Sequence, residues 1–185
     1  MHNTLLLSGF QTERDQAASV SLGDRMVVIG GQGPDGDGGV TSSQVEIYNP
    51  DNDTWILRDD MAMDQGRFSF CAVPVNSSSL MVLGGWGDDG PLSSVSVLNI
   101  DTGEWSSGPD MTRPRYGHTC LMTEMGGRPG VMVAGGALTG KIVEFLDIQT
   151  GQWETLSGTN YKIGMNEKSQ CFLITTPRNF LSSFI

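Results

Sequence analysis

The chain has 185 residues, enough for one ordinary domain, and its 38% hydrophobic and 17% charged residues exclude a disordered polymer. Its 25 glycines follow no triplet, which excludes a collagen-like fold, and its net charge of −10 opposes binding to nucleic-acid phosphates or anionic membrane. No stretch reaches the ~18 apolar residues of a membrane span, and Leu5-Leu6-Leu7 is too short for a signal-peptide core and follows no basic residue.

In chain order, residues 4–8 (TLLLS) read as the last strand of a preceding unit. Arg14 then opens a first unit: a strand at 17–22, the apolar run MVVIGG at 26–31, a polar loop at 32–43, and a third strand at 44–48. The turn NPDNDT follows, and Trp55 starts a fourth strand. Arg67 opens a second unit with strands at 68–75 and 81–85 (MVLGG), a loop at 86–94, a strand at 95–98, the turn NIDTGE and Trp105. Arg115 opens a third with strands at 117–122 and 131–136 (VMVAGG), a loop at 137–140, a strand at 142–146, the turn DIQTGQ and Trp153. The turns are rich in Asn, Asp, Gly and Pro, as tight hairpins require. Residues 170–176 read as the first strand of a fourth unit and 180–185 as its second.

The periodicity is close. The pairs Gly30-Gly31, Gly84-Gly85 and Gly135-Gly136 start 54 and 51 residues apart, and the tryptophans are 50 and 48 apart. Tyr48, Leu98 and Leu146 each lie seven residues before their tryptophan. Four short strands per unit at a period near 50 indicate blades of a β-propeller. The paired glycines permit positive φ and close approach of neighbouring backbone, and the tryptophans are expected to pack between blades. The expected organisation is a strand and linker at 1–13, complete units at 14–66, 67–114 and 115–164, and a partial fourth at 165–185. A chain that begins and ends inside blades is expected to be a fragment of a longer propeller, to pair with another chain, or to close its ends in a composite blade.

An arginine, an apolar run, Gly-Gly, a tyrosine and then a tryptophan resemble the kelch repeat. Unit one carries the full pattern in Arg14, Gly30, Gly31, Tyr48 and Trp55; units two and three keep Arg67, Gly84, Gly85, Trp105 and Arg115, Gly135, Gly136, Trp153 but put leucine at the tyrosine position. The resemblance implies an all-β, kelch-type propeller segment of three complete four-stranded blades with partial strands at both ends. It also implies a non-enzymatic protein-interaction platform, of the kind that serves as a substrate receptor of ubiquitin ligases or binds the actin cytoskeleton. The enzymatic alternative is a kelch-like propeller acting on sugars, as a mutarotase or an oxidase.

Several motifs invite other chemistry. The G-x-G-x-x-G at 31–36 follows a strand, but Pro34, Asp35 and Asp37 leave no helix to hold a pyrophosphate. Asp35, Asp37 and Glu46 match three positions of a calcium loop, yet Gly39 and Val40 stand where a ligand and the turn glycine belong, so the segment reads as a solvated acidic loop. His118 and Cys120 do not make a metal site, and His118 reads as a satisfied interior histidine on the first strand of unit three. No cofactor and no metal are expected. Cys71, Cys120 and Cys171 fall on strands of different blades, so free thiols and a cytoplasmic chain are expected; the sequons at 52–54 and 76–78 keep secretion as the alternative.

Arg14, Arg67 and Arg115 have two readings: structural groups at blade junctions, or a cationic ring near the axis. Trp86 follows Gly85 outside the repeat frame and reads either as an interface anchor or as a cover for the adjacent blade. The loops between second and third strands share a face with the connections at 59–66, 109–114 and 159–168, and long varied loops on a rigid scaffold are where binding resides. On that face Trp86, Asp88, Asp89, Asp35, Asp37 and Arg113 are the candidate partner-contacting residues. Its many aspartates make a basic or hydrogen-bonding protein segment the expected partner, with self-association to complete the ring as a further expectation.

Overall fold

The computed structural model describes residues 9, 11–33, 40–156, 161–165 and 171–175; among them every regular element is a β-strand apart from a 3-10 turn at Asp59–Met61. Repeat one builds β1 (Ala18–Leu22), β2 (Arg25–Ile29), β3 (Val45–Asn49) and β4 (Thr54–Leu57). Repeat two builds β5 (Cys71–Pro74), β6 (Ser79–Leu83), a small hairpin of β7 (Trp86–Gly87) and β8 (Gly90–Pro91), then β9 (Val95–Asn99) and β10 (Trp105–Ser107). Repeat three builds β11 (Thr119–Met125), β12 (Arg128–Ala134), β13 (Val143–Asp147) and β14 (Gln152–Leu156). Each repeat is one four-stranded antiparallel sheet with its strands in sequence order. These are three blades of a β-propeller. The seven-residue spacing seen in the sequence becomes direct pairing: Tyr48 faces Trp55, Leu98 faces Trp105 and Leu146 faces Trp153.

Alternation along the second strands decides where the cores form. Successive strand residues point to opposite faces, and both faces of these strands are covered, so β6 is buried throughout. Leu80 and Val82 join Val27 and Ile29 of β2 in a core between blades one and two. Met81 and Leu83 join Val131 and Val133 of β12 in a core between blades two and three. The tryptophans close these seams: Trp105 packs on the first core and donates its indole N–H to the Met61 carbonyl at 2.9 Å, and Trp153 packs on the second and donates to the Pro109 carbonyl at 2.8 Å.

The double glycine has a different task at each position. Gly84 has φ +58, and a Cβ there would lie 2.7 Å from the Arg115 carbonyl oxygen of the next blade. Gly85 has φ +101, and its Cβ would lie 2.6 Å from the Phe70 side chain of its own blade. Its N–H donates to the Arg115 carbonyl at 2.9 Å, as Gly31 donates to the Arg67 carbonyl at 2.9 Å. The pair is therefore the point where two blade backbones meet, a contact no side chain fits.

Four expectations need correction. Cys71 and Cys120 do lie on different blades, but they form a disulfide. The first strands are the ones that lie beside one another in adjacent blades, β1 against β5 and β5 against β11. This brings the two Cα atoms to 5.9 Å, within bonding range, and the argument from free thiols for a reducing compartment falls with it. The first strands also begin later than the apolar pattern suggests, because Gln16, Ser69 and Gly117 take positive φ just before them; His118 consequently precedes β11 rather than lying on it. His118 is buried, and neither ring nitrogen has a hydrogen-bonding partner among the described residues, so it is not a satisfied core histidine. Finally, residues expected as a connection at 159–168 include β15 (Tyr161–Met165), paired antiparallel with β16 (Cys171–Thr175), and β16 lies against β11. The segments 4–8 and 180–185 lie outside the described residues.

Candidate protein-interaction face

The opening arginines are built into the blades. Arg14 donates to the carbonyls of Gly30 at 3.3 Å and Gln44 at 3.2 Å and pairs with Glu46 at 2.5 Å. Arg115 repeats this with Gly135 at 3.1 Å, Ile142 at 3.3 Å and the buried carboxylate of Glu144. Arg67 donates to the Gly84 carbonyl at 3.1 Å and Ser94 Oγ at 3.2 Å. Burial pulls all three guanidinium groups below their ordinary pKa; Glu46 opposes this for Arg14, Glu144 for Arg115, and no acid does so for Arg67. Each arginine ties the end of its own second strand to the loop before its third. The junction reading fits this placement, and an accessible cationic ring does not, because all three side chains are buried.

Around them runs a spiral of backbone contacts from blade to blade. The Ser69 N–H donates to the Gln16 carbonyl at 3.1 Å, and the Gly117 N–H to the Ser69 carbonyl at 2.7 Å. Just beyond, the residue after each Gly-Gly bridges back to the residue after each opening arginine: Gln32 to Asp15, Trp86 to Phe68, Ala137 to Tyr116. Trp86 thus occupies a regular repeat position, which corrects its placement outside the repeat frame. Its ring meets Tyr116 of blade three edge to face, with centroids 4.9 Å apart. The cover for the adjacent blade is real, yet the indole remains half-buried.

Trp86 also walls a cleft of about 380 Å³ between blades one and two, together with Gln32, Val40, Thr41, Phe68, Gly87 and Asp88. A second hollow of about 290 Å³ adjoins it, sharing Val40 and Thr41 and reaching Thr12, Glu13 and Ser43. Both are formed by second-to-third-strand loops and blade-to-blade connections, the face singled out from the sequence. Thr41 Oγ1 donates to Asp88, which stitches the loop of blade one to the hairpin of blade two. Val40 is 84% exposed and Leu138, on the corresponding loop of blade three, 67% exposed. Glu13, Asp15, Asp64, Asp88 and Asp89 are exposed and acidic.

The structure therefore brings Trp86 and Asp88 together. Asp89 and Arg113 are exposed but outside the cleft lining, and Asp35 and Asp37 lie outside the described residues. Phe68, Tyr116, Val40 and Thr41 were missed. A signal for the two aromatics existed, because each directly follows an opening arginine and so pairs with the residue after a Gly-Gly. Among the described residues no cluster of three or more His, Cys, Asp or Glu side chains could hold a metal ion, and no helix is long and apolar enough to cross a membrane.

Three blades joined at double glycines make a β-propeller segment whose loop face bears apolar and acidic groups. The kelch motif family matches residues 13–61 and 67–112, and the chain belongs to the kelch-repeat family. It is similar to human kelch repeat and BTB domain-containing protein 12, 29% identical over 161 residues that cover 76% of this chain and 25% of that protein. It is also similar to the Caenorhabditis elegans kelch repeat-containing protein kel-10, 24% identical over 140 residues covering 72% and 23%. The chain spans about a quarter of the length of these relatives.

Proposed function

We propose that the chain works by binding rather than by catalysis, as the partner-recognition part of a larger kelch protein. The observation that carries this is the cleft of about 380 Å³ on the loop face, with Trp86, Phe68 and Val40 as apolar walls and Asp88 at its edge. A half-buried aromatic in a concave, rimmed position is the usual form of an interface anchor. The exposed acidic groups around it suit an extended protein segment carrying Lys or Arg. Within that reading the whole protein is a substrate receptor of a ubiquitin ligase or a cytoskeleton-binding protein; the BTB domain in the name of the human relative supports looking first at the former.

The test uses an array of defined 12-residue peptides probed with the purified chain. Binders are expected to be enriched in Lys and Arg, and Trp86→Ala is expected to weaken them at least about tenfold, as hot-spot truncations do. Asp88→Asn and Asp89→Asn together should lower the association rate and its sensitivity to salt. Binders without excess positive charge, or equal affinity for Trp86→Ala, would reject this assignment.

A further inference from the structure

The three blades supply an internal comparison at one buried position. The first residues of β3, β9 and β13 hold the same register against the second strand: Val45 faces Ile29, Val95 faces Leu83 and Val143 faces Ala134. The next residue is Glu46 in blade one, Ser96 in blade two and Glu144 in blade three. Both glutamates are fully buried and each pairs with the arginine that opens its own blade. Their oxygens are also held from the chain leading to that arginine. Glu46 accepts from the N–H groups of Gln11 at 2.6 Å and Thr12 at 3.2 Å, and Glu144 accepts from Thr112 Oγ1.

Blade two keeps the cation and lacks the anion. Arg67 is placed as its two counterparts are, with one nitrogen on the carbonyl of the first glycine of the pair. It is 4% exposed and, unlike its counterparts, forms no ion pair among the described residues; its Nε lacks a hydrogen-bonding partner, as does that of Arg115. Asp64, three residues before it, is exposed and forms no ion pair there either. Ser96 is half-buried where the two glutamates are sealed, and its short side chain leaves the position of their carboxylates unfilled by this residue. A buried charge without a counter-charge is strongly unfavourable, and proteins rarely leave one so.

We propose that blade two is an anion-binding site, in which Arg67 takes a single carboxylate or similarly small oxyanion from outside the chain, seated above Ser96 where Glu46 and Glu144 sit in the neighbouring blades. The ligand completes the blade, and its binding is coupled to stability because the unfolded chain has no such site. The shared chemistry is one carboxylate, and it has two sources: a free small acid, or a glutamate side chain of a protein segment.

The experiment follows the thermal midpoint of the whole chain during titration with sodium acetate, and separately with the blocked tripeptide Gly-Glu-Gly, at constant ionic strength. Wild type, Ser96→Glu and Arg67→Met are compared. In wild type a saturable rise is expected, about 5–10 °C at a hundred times Kd for a domain of this size. Ser96→Glu should start from a higher midpoint than wild type and lose the response, because it supplies the anion internally. Arg67→Met should lose the response whatever its own midpoint. A response to acetate marks a site for free small acids, and a response to the tripeptide alone marks one for a protein side chain. Neither probe shifting wild type, or all three proteins shifting alike, overturns the proposal; so does a Ser96→Glu midpoint at or below that of wild type.

Discussion

His118 shows how a single residue in a repeat can be judged by its counterparts. The same position holds Ala17 in blade one and Phe70 in blade two, each one residue before a first strand. Phe70 packs against Gly30 of the preceding blade as His118 packs against Gly84. The histidine brings two ring nitrogens that find no partner among the described residues. Burial, and secondarily the charge of Arg115, push its pKa down to about 3; the Leu83 backbone lies close enough to oppose this but is too poorly placed to make a hydrogen bond with the ring. The folded state therefore holds it neutral. An unfolded histidine titrates near 6.5, so the folded protein keeps its full stability above that pH. It loses stability as pH falls from 6.5 toward 3, because the unfolded chain takes up a proton that the folded one refuses. The slope from this one group is about 1.4 kcal/mol per pH unit. His118→Phe removes the orphaned nitrogens and should raise stability at pH 7 by about 1–3 kcal/mol. Denaturant melts of both proteins at pH 7, 6 and 5 check this, and parallel pH dependence in the two would refute it. From the sequence this histidine could be placed in the interior, but not seen to lack partners, because satisfaction depends on the neighbouring blade.

At the scale of elements, the conserved geometry is the junction between one blade's second strand and the next blade's lead-in. Gly84→Ala places a methyl 2.7 Å from a backbone carbonyl at positive φ. Neither strain can relax without moving a blade, and the expected loss is about 2–4 kcal/mol. Gly117 also has positive φ, but a Cβ there meets nothing within 4 Å. Its counterparts Gln16 and Ser69 hold the same conformation with side chains. Gly117→Asn should therefore cost less than about 1 kcal/mol, since Asn tolerates this region. Comparable losses in the two variants, measured by chemical denaturation, would show that conformation rather than contact sets the demand. The spacing of Gly-Gly, third strand and tryptophan made the strands and their pairing legible, because local periodicity fixes them. The cleft was legible only as a face. Its lining comes from two blades, Gln32, Val40 and Thr41 of the first and Phe68, Trp86 and Asp88 of the second, and so does the disulfide: whether two first strands lie side by side is a property of the ring, and the chain order of Cys71 and Cys120 does not carry it.

For the molecule as a whole, stability resides in the seams. The core between blades one and two and the core between blades two and three share no residue. Among the described residues each blade thus contacts only its neighbours through apolar surface, and an array of this kind opens by units rather than all at once. The two seams differ in one respect. The disulfide crosses the second, joining Cys71 of blade two to Cys120 of blade three across 49 residues. The first seam has an exposed ion pair instead, Arg25 with Asp101 at 2.8 Å, and such a pair adds little. A cross-link closing a loop of this length contributes about 4 kcal/mol in the loop-entropy description. While it is intact, blade three can detach only as a tethered loop, so blades two and three should unfold together. Reduction, or Cys71→Ser with Cys120→Ser, removes the tether and leaves blade one's own opening untouched. Hydrogen exchange resolves the two cases. Amides of β11 and β12 should lose protection on reduction by up to about a thousandfold, the equivalent of 4 kcal/mol, while amides of β2 change far less. Equal loss across all three blades would mean that the array opens as one cooperative body and that the seams are not independent.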